Sequence, residues 1–184
     1  MKTLKGIILV LAPAFFTGCE IYTDDEGNLN NTLGSVFEVQ GDFTSANGYS
    51  LLFDFPNTLK VYNSDLVLVY ILWEQNTDKF GKVSDVWRLL PQTVVLNEGV
   101  LQYNFDYTVN DVKIFLDGTI NMATLLPAES QDQVFRVVVL PADYAVSKSF
   151  DLTNYDQVMK SLNLNTPAIS KMDLSEINPA AELK

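Results

Sequence analysis

The sequence predicts an all-β protein: an antiparallel β-sandwich (Ig-like or similar) of about 7–9 strands with one short C-terminal helix. Three observations carry that expectation. Apolar and polar residues alternate with period two at short intervals from Val36 onward. Two wholly or nearly apolar runs, 66–73 and 134–140, are strand-sized and too short to span a membrane. Turn residues punctuate the pattern at Asn47-Gly48, Asn97-Glu98-Gly99, Asn110-Asp111 and Asp117-Gly118. A chain of 184 residues with 47% hydrophobic content suits one folded domain.

Phe37, Val39, Gly41 and Phe43 alternate with Glu38, Gln40 and Asp42, which puts one face on a core and the other in water. Tyr49, Leu51, Phe53 and Phe55 repeat the pattern. The run 66–73 (LVLVYILW) is apolar on both faces, as is most of 134–140 (VFRVVVL). Both therefore read as central strands whose outer face is covered by a loop, the C-terminal helix or a partner. Further strands are expected at 86–90, 93–96 and 112–117. The cleanest alternation sets Leu101, Tyr103, Phe105 and Tyr107 against Gln102, Asn104, Asp106 and Thr108. Pro56, Pro91 and Pro141 mark strand ends. Tyr155, Val158, Met159 and Leu162 fall at helical spacing, with Thr153 or Asn154 as N-cap and Asp156 in the first turn. A weak helix or turn is expected over 121–126, and 166–184 reads as a loose tail. A small barrel is the nearest competing architecture. A disulfide-pinned immunoglobulin domain is excluded, because Cys19 is the only cysteine.

The N-terminus carries the most specific signal. Lys2 and Lys5 precede an apolar stretch, GIILVLAPAFF, which ends at Thr17-Gly18-Cys19. The stretch is shorter than the roughly 20 residues of a membrane span and contains Pro13. Phe16-Thr17-Gly18-Cys19 resembles the lipobox of bacterial lipoproteins, with Phe16 where Leu is usual. That resemblance implies cleavage before Cys19 and acylation of its thiol, so that several acyl chains anchor the protein in a membrane. The expected organisation is a signal peptide over 1–18, a flexible acidic tether over 19–34, a sandwich over 35–165 and the tail. Loss of Lys2 and Lys5 leaves ten basic residues against 23 acidic ones, a net charge of −13. The cluster Asp24-Asp25-Glu26 resembles surface-export signals of Bacteroidota lipoproteins. It lacks the EF-hand ligand spacing, so no calcium site is expected there.

Composition excludes whole classes of chemistry. Without histidine, and with one cysteine destined for lipid, His-based triads, His- or Cys-ligated metals and internal disulfides are ruled out. The acidic balance of −11 disfavours nucleic acid as a partner. Carboxylates are abundant, but they fall in turns (Asp65, Asp111, Asp117, Asp132) or on polar strand faces (Glu38, Asp42, Asp54, Asp106), where capping and solvation explain them. Ser147-Lys148-Ser149 lacks the S-x-x-K spacing of a Ser–Lys dyad. No catalytic residue and no cofactor are therefore assigned. Aromatics are the better lead. Trp73 and Trp87 sit in or beside strands, where core packing competes with an exposed stacking platform. Phe80 lies in the segment 75–84 (QNTDKFGKVS) beside Lys79 and Lys82, a contact loop on this reading.

Segments such as SDLVLVYIL, LPQTVVL, LQYNFDYT, VKIFLDG and VFRVVVLPADY resemble the blocks of a family of small flavobacterial-type lipoproteins. Some relatives carry a collagen-like tract after the lipid Cys; here DDEGNLNNT takes that place. The resemblance implies a location and no activity. The expectation is a monomeric, lipid-anchored, non-catalytic binding or structural module of the outer membrane, surface-exposed or periplasm-facing, with a protein or glycan partner. A carbohydrate-binding lipoprotein of a polysaccharide-uptake system is the alternative, and a carboxylate-dependent hydrolase a more distant one.

Overall fold

A computed structural model describes residues 34–142, 151–162 and 169–174. Cys19, the tether up to residue 33, Ser147-Lys148-Ser149 and most of 166–184 lie outside the described residues. Among the described residues, nine strands form two sheets. The first runs β4 (Val83–Leu89), β3 (Leu66–Thr77), β8 (Gln133–Leu140), β1 (Ser35–Gly41), β9 (Ser170–Asp173). The second runs β2 (Ser50–Asp54), β7 (Asp111–Gly118), β6 (Gly99–Tyr107), β5 (Gln92–Leu96). All pairings are antiparallel except that of β1 with β9. The expected sandwich is the architecture, and the two apolar runs are neighbouring central strands.

The alternating residues meet between the sheets. Val39, Val69, Phe135 and Val137 from the first sheet pack with Phe53, Leu101, Val112 and Ile114 from the second, each fully buried. Phe43 closes the same core although it lies beyond the end of β1. Its ring meets Phe135 edge-on at 6.0 Å, and its amide donates to the Ser130 carbonyl. Two glycines fix tight points. At Gly34 (φ +89°) a Cβ would sit 2.6 Å from the Val139 carbonyl oxygen, and at Gly118 (φ +151°) 2.0 Å from that of Val100.

The outer face of the five-stranded sheet carries a second core. Val36, Leu68, Tyr70, Val138 and Leu140 are covered by α2 (Tyr155–Ser161) through Tyr155 and Val158, together with Leu162. Asn154 caps this helix by accepting from the Gln157 amide, as the sequence suggests. Burying Val158 and Leu162 completely contributes about 2 kcal/mol each. A short 3-10 turn (Met122–Thr124) and α1 (Pro127–Ser130) connect β7 to β8.

Two expectations need correction. Part of the supposed loose tail is a strand: Ser170–Asp173 pairs in parallel with Phe37–Gln40, and Leu174 is 4% exposed in the main core. The sandwich therefore extends past 165. The segment 75–84 is not a long loop either. Glu74–Thr77 pairs with Val83–Val86, so β3 and β4 form a two-stranded ribbon closed by a short turn. There Asp78 Oδ1 accepts from the amides of Phe80 and Lys82. A bulge between Leu72 and Glu74 marks where the ribbon leaves the sheet.

Candidate functional site

A row of side chains crosses the outer face of the five-stranded sheet, one from each strand. Leu89 on β4 is opposite Tyr70 on β3, Tyr70 opposite Arg136 on β8, Arg136 opposite Glu38 on β1, and Glu38 opposite Lys171 on β9. Parity places all five on the side away from the main core. The row begins under α2 as apolar packing and ends as charge.

Arg136 organises the charged half. Its Nε and one terminal nitrogen donate to Glu38 Oε2 at 3.0 and 2.8 Å, and its other terminal nitrogen donates to the Tyr155 hydroxyl. The guanidinium also lies 4.2 Å from the Trp87 ring centroid and 5.3 Å from that of Tyr155. Lys171 Nζ reaches Glu38 Oε1 at 2.6 Å. Burial raises the Glu38 pKa, but the hydrogen bonds and charges of Lys171 and Arg136 outweigh it and hold the carboxyl below its ordinary value. Burial likewise raises the Tyr155 hydroxyl, with Arg136 opposing, and burial together with its neighbours' charges raises Tyr70, whose hydroxyl donates to the Leu152 carbonyl. A carboxylate held this firmly by two cations stays ionised near neutrality. It is suited to recognising a cation rather than delivering a proton.

The three sequence-flagged aromatics do not come together. Trp87 is half-buried on the outer face, its ring tilted against that of Tyr155 (5.4 Å) and beneath Arg136. Trp73 packs against the main core at the bulge, with the Arg88 guanidinium 4.0 Å above its ring. Each indole thus carries a guanidinium on its ring, and neither stands as a bare platform. Phe80 sits at the tip of the β3–β4 ribbon, 83% exposed, with Lys79 Nζ 5.0 Å from its ring centroid and Val83 also exposed.

The register also fixes where the ribbon points. Val139 pairs with both Ser35 and Val67, so the chain enters the sandwich at the level of Val67. Thr77 lies ten residues further along β3, about 33 Å away at the usual rise. Pairing with β8 ends at Ile71, and every residue from Glu74 through Asp85 is exposed. The arm therefore leaves the sandwich at the end opposite the chain's entry.

An open groove of about 210 Å³ runs along Glu38, Gln40, Lys171, Met172 and Asp173. A second, of about 380 Å³, lies beside Trp87, Leu90 and Gln92 on the β4 side. Among the described residues, no group of three or more His, Cys, Asp or Glu could hold a metal ion, and no helix is long and apolar enough to cross a membrane. The sequence flagged Phe80 and both tryptophans; it missed Arg136 and Lys171, whose partner Glu38 lies 98 and 133 residues away. No family model, curated protein or solved structure matches the chain.

Proposed function

We propose that the protein is a lipid-anchored lipoprotein of the cell envelope, acylated at Cys19, acting as a non-catalytic binding module that presents the β3–β4 arm to a protein partner. The observation that carries this reading is the opposition of chain entry and arm tip across about 33 Å. A tether attached at Gly34 directs Phe80, Lys79 and Lys82 away from the membrane that holds the lipid. The acidic body, repelled by anionic headgroups, favours the same posture. Asp24-Asp25-Glu26 supports outward display at the outer membrane. The glycan-binding alternative draws less support, since Arg88 and Arg136 overlie the two indoles it would use.

Detergent phase partitioning and trypsin treatment of intact cells test the proposal together. The wild-type chain is expected in the detergent phase, and the Cys19→Ser chain in the aqueous phase. On intact cells, trypsin is expected to cut at Lys79 or Lys82 first. Detergent partitioning that is unchanged in Cys19→Ser refutes the anchor. An arm protected on intact cells, but cut once they are lysed, refutes its outward presentation.

A further inference from the structure

We propose that the outer edge of β1 is a strand-acceptor site, occupied in one copy by that chain's own Ser170–Asp173 and able to take the same segment from a second copy. Four observations point to it. The resident strand is only four residues long and is the one parallel pairing among the described residues, a geometry slightly less stable per residue than its antiparallel counterpart. All four of its residues are exposed, so little of its own side-chain surface is buried against the sheet. Its attachments include Lys171 Nζ on Glu38 Oε1 at 2.6 Å, and Leu174, which is buried and whose amide donates to the Gln40 carbonyl at 2.6 Å. Glu38, finally, is prepared for a cation. Arg136 holds Oε2 from within the sheet, which leaves Oε1 directed toward β9.

The site thus reads an extended segment by one cation and, three residues later, one apolar side chain, with backbone pairing between them. This is recognition by strand addition: the ladder supplies affinity and the two pockets supply selectivity. The groove of about 210 Å³ beside Glu38 and Lys171 runs along the same edge. Charge complementarity favours a second copy as the occupant. The complementarity is local: Lys171 of any other copy is a cation already matched in register to Glu38, and it works against the mutual repulsion of two acidic bodies. In one copy the resident strand acts at an effective concentration in the millimolar range, so exchange requires crowding of copies or weakening of the resident strand.

Two full-length variants test this by complementation. Leu174→Asp spoils a chain's own strand and leaves its acceptor edge intact. Glu38→Lys spoils the acceptor edge and leaves the strand intact. Each alone is expected to be monomeric by sedimentation, and an equimolar mixture is expected to form a one-to-one dimer. Adding Lys171→Glu to the Glu38→Lys chain restores opposite charges within that copy and is expected to weaken the mixed dimer roughly fivefold or more. A mixture that stays monomeric, or a dimer indifferent to the charge swap, overturns the proposal. Hydrogen exchange on the wild-type chain gives a readout that does not depend on the variants folding. Amides of 170–174 are expected to exchange at least about a hundredfold faster than those of β3 and β8. Equal protection would show a strand as fixed as the central ones, and would overturn the proposal too.

Discussion

Replacing Arg136 by alanine strips the charged end of the outer-face row of its organiser. Two hydrogen bonds to Glu38 are lost, together with one to Tyr155 and the stacking over Trp87 and Tyr155. Charge-assisted hydrogen bonds contribute about 1.5–3 kcal/mol each when shielded, and solvent takes back part of that for side chains that are 12% exposed. Stacking adds roughly 0.5–1 kcal/mol. Glu38 is then left half-buried with only Lys171, whose side chain is 76% exposed. The expected loss is about 3 kcal/mol at neutral pH, or a fall of about 10 °C in Tm for a body of this size. Urea unfolding of both chains at neutral pH, and again in acid, measures it. The folded pKa of Glu38 is depressed, so its contribution is present above the unfolded value and is lost as pH falls through the folded one. The gap between wild type and Arg136→Ala should therefore narrow in acid. A loss under about 1 kcal/mol, or one equally large at both pH values, would show that the cluster is decoration on a sheet held by its apolar packing.

Tyr103 gives an alkaline counterpart. Burial, with the Glu129 charge adding to it, pushes its hydroxyl up to about 12, and that hydroxyl donates to the Glu129 carbonyl at 2.7 Å. The stabilisation is intact below the unfolded value of about 10 and is lost as pH climbs through the folded one. Urea midpoints should fall across that window, and Tyr103→Phe should cost about 1 kcal/mol at neutral pH while flattening part of the alkaline slope. Leu162→Ala should cost about 3 kcal/mol and loosen α2 from Leu68, Tyr70 and Val138, seen as a lower urea midpoint and as dye binding to the uncovered face.

The sheets were legible because burial imposes a rhythm. Wherever one strand face meets the core, alternation appears, and the four-stranded sheet shows it in Leu101 and Tyr103 against Gln102 and Asn104. Where a strand is buried on both faces, as at Val67–Ile71, length and β-branching served instead. The misses share a cause. Glu74–Thr77 and Val83–Asp85 are wetted on both faces, so nothing in their composition distinguishes a ribbon from a loop. Ser170–Asp173 is too short for a period and is likewise exposed throughout. The candidate site was hidden for another reason. Arg136 interrupts an apolar run without naming its partner, and Glu38 looks like any solvent-facing carboxylate until register brings the two together. Trp73 and Trp87 stand out by residue type, yet which face each takes depends on the bulge that only the paired strands reveal.

The pairing of β1 with β8 has a consequence for how the molecule is made. Ser35 meets Val139 and Gly41 meets Gln133, so the first strand of the sandwich waits for almost a hundred later residues before its inner neighbour exists. Closing a loop of that size costs about 4 kcal/mol beyond the constant term. The four-stranded sheet, by contrast, contains the hairpins β5–β6 and β6–β7 and can zip from local contacts. A chain fed from its N-terminus, whether from a ribosome or through a pore, therefore keeps its leading strand unsealed until the sheet's middle has emerged, a delay that favours threading over premature collapse.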